Sequence, residues 1–478
     1  MKVRTRFAPS PTGELHLGNA RTAILNWLVA RHDGGDYVVR FEDTDVERYV
    51  DTSEAGILEG LDWLGLDRNE DPVVGGPFGP YRQSERGDIY RKYADRLLAE
   101  GLAYRCYCLP EELEARRATA MEAGLQPRYD GRCRELTDAR RHELSAEGRP
   151  STVRFKVDPG PIAIDDRVRG AVTIDGAEFG DMVIIRSDGR PTYNFAVVVD
   201  DMLMDITHVI RGVGHLANTP KQALLYRAFG AAAPEFVHIP TVLAPGGGKL
   251  SKREGSPGLL SYRDDGYHPD AVVNYLSLLS WSSPGGEEVL TRAQLVAEMD
   301  LDRIGSSDAI LDLDKMRWLS GQHMRLEPLT GLAARVRPFL GAAAARLEDP
   351  ELERALAVVR ERVFLLTEAA AELESLFGPP MPDAEAETAL GEASAPAALG
   401  AAISAWAEVE TWEPAPLKAS LVAAASEADV RGRQLFQPIR AALIGQVKGP
   451  EVGELALVLG RERSLERLER ARGTTGDA

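Results

Sequence analysis

The sequence predicts an α/β protein: a parallel-sheet region interrupted by an inserted domain and followed by an all-α C-terminal region. Three observations carry this expectation. The N-terminus reads strand, loop, helix, strand, the opening unit of an open parallel sheet. Residues 105–190 break that rhythm with short strand-like runs and Asp-Gly turns. From about residue 325 the composition turns to Ala, Leu, Glu and Arg with few strand formers.

The first strand is expected over residues 3–8, followed by a loop carrying Pro9, Pro11 and Gly13. Apolar spacing at Ala20, Ile24, Leu28 and Val29 predicts a helix. Gly34-Gly35 stops it, and residues 37–41 give the next strand. Within the insertion, residues 152–157 and 182–186 read as strands. Apolar β-branched runs return at 194–199 and 207–210, where the parallel sheet is expected to resume. The Pro/Ala-rich stretch 378–400 is expected to link two helical bundles. No internal repeat of solenoid period is present.

Length and composition set bounds. At 478 residues the chain has room for roughly three domains. No apolar run of about 18 residues exists, so no membrane-spanning helix is expected. The N-terminus lacks the apolar core of a secretory signal. Three cysteines argue against a disulfide framework and for a reducing cytoplasm. The net charge of −18 opposes nucleic-acid binding if taken alone, but local Arg patches decide such contacts.

Two short motifs carry chemistry. The first, Ser10-Pro11-Thr12-Gly13-Glu14-Leu15-His16-Leu17-Gly18-Asn19, lies between the first strand and the first helix. Ligands of open α/β sheets bind there, and a helix N-terminus favours anions. His16 can donate to a phosphate oxygen, and Gly18 permits close approach to the backbone. The alternative is an ordinary strand-to-helix turn. The second, Lys249-Leu250-Ser251-Lys252-Arg253, is flanked by Gly246-Gly247-Gly248 and Gly255. Two lysines around a serine can neutralise charge building on a leaving pyrophosphate; the alternative is a solvated basic turn.

In this order and setting the two motifs resemble the signatures of class I aminoacyl-tRNA synthetases. His16-Leu17-Gly18-Asn19 stands where the family often ends its motif in His, and KLSKR stands for the consensus KMSKS. Further segments narrow the resemblance to bacterial glutamyl-tRNA synthetases: RFAPSPTG, VRFEDTD (39–45), GPYRQSER (79–86), PTYNFAVVVDD (191–201), THVIRG (207–212), LDKMRWLSGQ (313–322) and QPIRAALIG (437–445). They are collinear and span nearly the whole chain. The resemblance implies a class I Rossmann-type catalytic domain and an all-α anticodon-binding region. Its domain order would be 1–105 and 191–254 for the two catalytic halves, with the KLSKR loop in the second. The inserted acceptor-binding domain would occupy 106–190 and a stem-contact domain 255–325. Helical anticodon-binding bundles would follow at 326–380 and 381–478.

The resemblance also implies partners and site residues. The substrates would be L-glutamate, ATP with Mg2+, and tRNA-Glu. His16, Gly18, Asn19, Ser251 and Lys252 would hold ATP, while Lys249 and Lys252 stabilise the transition state. Arg6, Ser10, Glu42, Tyr193 and Arg211 match the amino-acid pocket. Arg6 and Arg211 are the candidate readers of the side-chain carboxylate, because a guanidinium fork fits a carboxylate and serves glutamine poorly. Glu42 is placed to meet the substrate ammonium. One departure stands out: the family usually carries two acidic residues after the Arg-Gly of THVIRG, where this chain has Val213-Gly214 followed by His215. The absence puts a ribose or ammonium contact in doubt.

Cys106, Cys108 and Cys133 resemble the zinc site of some members, with Glu135 or Tyr129 as fourth ligand; three free thiols are the alternative. His142 is nearby but off the pattern. Arg362, in Val359-Arg360-Glu361-Arg362, aligns with a residue that reads the third anticodon base, and Arg440 would join it; a solvated helix face with an intrahelical Arg–Glu pair is the alternative. A cytoplasmic monomer is expected. Competing identities are a glutaminyl-tRNA synthetase, whose C-terminus would be β-barrels, and a short paralogue lacking the anticodon region. A degenerate RNA-binding paralogue and an enzyme that also charges tRNA-Gln complete the alternatives.

Overall fold

The first strand, β1 (Arg4–Phe7), is buried at every position, including Arg4 and Arg6. It is an inner strand with neighbours on both sides, so its charged side chains must find buried partners. The computed structural model describes residues 2–44, 50, 52–125, 128–248 and 257–475. The remaining strands of interest are β2 (Asp36–Val39), β3 (Ala103–Cys106), β4 (Thr152–Phe155), β5 (Pro161–Asp166), β6 (Gly170–Asp175), β7 (Met182–Ile185), β8 (His208–Gly212) and β9 (Glu235–Ile239). The main sheet has the order β2-β1-β8-β9-β5-β6, parallel except for the β5–β6 hairpin. The chain leaves β1 toward β2 on one side and returns much later to place β8 on the other. That reversal is a topological switch point, and a crevice opens beyond the carboxyl ends of β1 and β8.

The helix Leu17–His32 covers this junction. Leu17, Ala20, Ile24 and Leu28 face the core, as their spacing predicts. Asn26 fixes it to two strands: its amide nitrogen donates to the Ile210 carbonyl at 3.0 Å, and its own carbonyl accepts from the Thr5 hydroxyl at 2.8 Å. Past the helix, Gly34 sits at φ +60°, a left-handed turn that suits glycine.

Three expectations are corrected. Residues 194–199 are not a strand but part of the helix Tyr193–Leu203. Val197, Val198 and Val199 are all buried, and a short apolar run buried on every side has no period to separate strand from helix. The insertion is not wholly separate either. β3, β4 and β7 form their own antiparallel sheet, but the β5–β6 hairpin joins the main sheet beside β9. Finally, 378–400 is no linker: it carries the helix Ala384–Gly391 and the start of Ala395–Glu408, with Ala386, Ala389, Ala398 and Leu399 buried.

The chain divides into two compact units, residues 1–263 with 272–313, and residues 264–271 with 314–478. In the second unit the described residues form helices and no strands. One core runs through it from Met324 to Leu468, centred on residues such as Leu356, Leu373, Trp406, Leu421 and Ile439. The buried Arg467 ties both sides of the expected 380/381 division. It donates to the carbonyls of Leu376 (2.8 Å) and Gly378 (2.6 Å), and to that of Leu443. Those are helix-end carbonyls that otherwise lack partners.

Candidate active site

A cleft of about 430 Å³ opens at the switch point, lined by Arg6, Ser10, Asn19, Glu42, Tyr193 and Arg211 among others. Strands β1 and β8, the segments after β1 and β2 and the start of the helix Tyr193–Leu203 thus bring the five amino-acid-pocket residues together with Asn19. His16 and Gly18 are not among its walls. His16 instead caps its helix: Nδ1 accepts from the Asn19 amide at 3.3 Å, which leaves the ring proton on Nε2, a donor suited to an anion. Gly18 makes room for that ring, since a Cβ there would lie 3.2 Å from two of its atoms. Lys249, Ser251 and Lys252, with the rest of their motif, lie outside the described residues.

The floor of the cleft is a buried ionic network. Asp201 accepts from Arg6 Nε at 3.2 Å and from Arg40 Nη1 at 2.7 Å. Arg40 also donates to Glu42 at 3.3 Å, and its Nε lies 3.6 Å from Asp200. Asp200 accepts from Arg86 (2.7 Å), Tyr90 (2.8 Å) and Gln83 (2.8 Å). Three guanidiniums, Arg6, Arg40 and Arg86, therefore face three carboxylates, Glu42, Asp200 and Asp201. Burial alone would favour neutral forms. For Asp201 it is outweighed by Arg6 and Arg40, which hold its carboxyl below the ordinary range. For Glu42 burial wins over Arg40 and Arg6, and the carboxyl is pushed up. The Tyr193 hydroxyl is pushed up to about 12, by burial first and Glu42 second, so it stays protonated.

Arg211 is held from three sides. Nε meets His238 Nε2 at 3.1 Å, and Nη2 donates to Thr219 at 2.7 Å and Gln222 at 2.8 Å. Nη1 alone has no partner among the described residues, on a residue only 6% exposed. Val213 and Gly214, where acidic residues were expected, sit in the short helix Val213–Asn218 and do not line the cleft. His215 does, with Nδ1 3.0 Å from the Tyr193 hydroxyl. Sequence reasoning quoted Arg40, Arg86, Asp200 and Asp201 within longer segments but gave them no role. The signal available was the charged pair closing an apolar run in VVVDD.

The cysteines converge. Their three sulfurs lie within 4.8 Å of one another, with Cys108 and Cys133 3.6 Å apart. The Tyr129 hydroxyl lies 3.3 Å from Cys106 Sγ and 3.8 Å from Cys108 Sγ, and Arg154 stacks 3.8 Å from the Tyr129 ring centre. Hydrogen bonding from Cys133 holds the Cys106 thiol well below the usual range, while Cys133 is raised in turn. Glu135 is exposed, and His142, on the helix Asp138–Ala146, turns its Nδ1 to the Asp138 carbonyl.

In the helical unit, Arg362 lines a groove with Phe364, Gln446, Lys448 and Gly449. It does not lie on a helix face. The helix Asp349–Val359 ends before it, and it pairs at 3.0 Å with Glu372 of the next helix, Leu366–Phe377. Arg440 donates to the carbonyls of Val447 (2.7 Å) and Pro450 (3.0 Å), so it shapes the wall of the same groove.

Residues 2–318 match the family described as class I tRNA synthetases (E and Q), catalytic domain, and residues 331–472 match an anticodon binding domain. The fold and cleft are thus those of a class I aminoacyl-tRNA synthetase, a class that uses ATP. The chain is 45% identical to the glutamate–tRNA ligase of Heliobacterium modesticaldum, covering 100% of this chain and 98% of that one. It is 44% identical to that of Moorella thermoacetica, over 98% of each. A crystal structure of a glutamate tRNA ligase from Elizabethkingia meningosepticum in complex with its amino acid superposes with a TM-score of 0.87. It is 33% identical, with 99% of this chain and 100% of that one covered. The chain belongs to the glutamate–tRNA ligase family. No described helix is long and apolar enough to cross a membrane.

Proposed function

We propose that the chain activates L-glutamate with ATP and transfers the glutamyl group to the 3′ end of tRNA-Glu. The observation that carries this is the cleft at the β1/β8 switch point, with Arg6, Ser10, Glu42, Tyr193 and Arg211 on its walls. Arg211, with its unpartnered Nη1, and Arg6 receive the side-chain carboxylate; Glu42 receives the ammonium. The α-carboxylate then attacks the α-phosphorus of ATP and pyrophosphate leaves. His16, through Nε2–H, and Gly18, Asn19 and Ser251 hold the nucleotide, and Lys249 and Lys252 offset the growing charge. Their support is the motif and family membership. Mg2+ would supply further neutralisation on the phosphates. In the second step a terminal tRNA hydroxyl attacks the glutamyl carbonyl and AMP leaves. Arg362 and the groove shaped by Arg440 meet the anticodon. We take the enzyme to work as a monomer in the cytoplasm.

The test is aminoacylation of purified tRNA-Glu and tRNA-Gln with labelled glutamate and glutamine. Charging of tRNA-Glu with glutamate alone is expected, and its absence overturns the reading. Lys252→Ala should slow adenylate formation by about two orders of magnitude or more while leaving the fold intact.

The thiol cluster fits a structural zinc held by Cys106, Cys108, Cys133 and Tyr129. Tetrahedral Zn–S bonds of about 2.3 Å place sulfurs roughly 3.7 Å apart, and the Cys108–Cys133 separation is 3.6 Å. The ion would anchor the insertion. Metal analysis should find one zinc per chain, lost in Cys133→Ser. Metal-free protein with an unchanged melting temperature after chelation would favour three free thiols.

A further inference from the structure

Arg211 is itself held by a buried hydrogen-bond chain that begins in the inserted hairpin. Arginine has only donors, so the 3.1 Å contact between Arg211 Nε and His238 Nε2 requires that Nε2 accept. His238 is then neutral with its proton on Nδ1, and Nδ1 lies 2.6 Å from Asp166 Oδ2. Thr219 agrees with this: its hydroxyl is 3.1 Å from His238 Nε2, to which it can donate, and accepts from Arg211 Nη2 at 2.7 Å. His238 is fully buried and Asp166 nearly so. Burial pulls the His238 imidazole below its ordinary range, ahead of the opposing pull of Asp166. Burial pushes Asp166 up but is outweighed by His238 and by backbone donors, so its carboxyl stays low. Those donors are the amides of Val168 (3.1 Å), Arg169 (2.8 Å) and His238 (3.1 Å).

Asp166 is also the one residue of β5 in register with β9, opposite Phe236. The carboxylate therefore arrives with the insertion, while His238 and Arg211 face each other in register on β9 and β8.

We propose that Asp166 and His238 are positioning residues for glutamate recognition. Asp166 fixes the His238 tautomer, and His238 Nε2 then fixes the Arg211 fork so that Nη1 is left for the substrate carboxylate. This rests on the reading of Arg211 as a carboxylate reader. It makes the selectivity of the pocket depend on a strand that belongs to the insertion.

Asp166→Asn tests the tautomer directly. The Asn oxygen can still accept backbone amides, but its amide can donate to Nδ1 and drive the proton to Nε2, where it meets the Arg211 Nε–H donor to donor. An Asp-to-Asn change beside a histidine is known to act in this way with the surrounding geometry intact. The glutamate KM should rise about tenfold or more, with the ATP KM unchanged and discrimination against glutamine reduced. His238→Asn removes the acceptor and should match it. His238→Gln places an amide oxygen near the Nε2 position, so the glutamate KM should stay within about threefold of the native value. Combining it with Asp166→Asn should add nothing, because no tautomer remains to be flipped. A merely structural role predicts the reverse: losses that follow melting temperature, with Gln and Asn at 238 alike. That outcome overturns the proposal, as does an unchanged glutamate KM in Asp166→Asn and His238→Asn. Arg211→Ala separates the two levels. If it raises the glutamate KM while the positioning variants do not, the relay alone fails; if it has no effect, the reading of Arg211 fails and the relay with it.

Discussion

Arg6, Arg40 and Arg211 in the catalytic unit are 3%, 0% and 6% exposed, and buried side chains hold each one: Asp201 for the first two, Thr219, Gln222 and His238 for the third. Arg362 in the helical unit keeps a third of its side chain exposed and pairs with the half-exposed Glu372. The two regions present the same residue type to a ligand in opposite conditions. In the cleft the guanidiniums are desolvated and oriented before glutamate arrives, so little reorganisation is left to oppose binding. In the groove the cation is partly hydrated and tied to one half-exposed carboxylate at the end of a long stem, which suits a single contact to a splayed base. Disturbing the first should therefore cost much more than disturbing the second.

The largest effect is expected at Asp201, which lies between Arg6 and Arg40. Asp201→Asn leaves two buried guanidiniums without their shared carboxylate and should destabilise the catalytic unit by about 3–5 kcal/mol, read from urea unfolding. A loss under about 1 kcal/mol would place the cleft floor on a par with a surface ion pair and erase the contrast.

Next comes Glu42, whose carboxyl burial pushes above the ordinary range. An ammonium ligand favours the ionised form, so binding draws the proton off. Glutamate affinity should be full above the raised pKa and fall as pH drops through it, at a pH above that of an ordinary glutamate. Glu42→Gln should raise the glutamate KM about tenfold to a hundredfold at neutral pH and flatten that dependence. A variant that keeps the wild-type pH profile would move the dependence to another group.

This network also shows what the sequence could and could not reveal. The first strand and the helix after it were legible from short-range patterns, and collinear segments singled out Arg6, Ser10, Glu42, Tyr193 and Arg211, which line one cleft. The partners of the arginines were not. Asp201 lies 195 residues from Arg6, on a helix whose valines read as a strand, and no local period reports a contact at that range. The segment 378–400 misled for a related reason. Its small and proline-rich composition resembles a linker, yet Ala386, Ala398 and Leu399 pack closely because small residues let helices approach. Tyr129 could be named as an alternative ligand, but only the fold could place it, rather than Glu135, beside the thiols.

Within the groove, Arg440 separates shaping from reading. Its two bonds to the carbonyls of Val447 and Pro450 hold the segment that carries Lys448 and Gly449. Arg440→Gln should cost about 1–2 kcal/mol locally, seen as faster amide exchange over residues 446–449. The KM for both tRNAs should rise together. A selective change in one tRNA would make Arg440 a reader.

The smallest effect is expected at Arg362, and it is the most informative about specificity. A bidentate base contact is worth about 1–3 kcal/mol in DNA readout. Here Arg362 must first loosen its 3.0 Å pair with Glu372, and an exposed pair of that kind is itself worth up to about 1 kcal/mol. The net should fall near the low end, about 1 kcal/mol, or roughly fivefold in kcat/KM. Arg362→Gln should lower charging of tRNA-Glu relative to tRNA-Gln by that factor. Glu372→Gln, which frees the cation without removing it, should shift the ratio the other way. Measuring kcat/KM for both tRNAs with the wild type and each variant decides between a reader and a solvated charge. If neither substitution moves the ratio, Arg362 serves only its pair with Glu372, and discrimination rests with another residue of the groove.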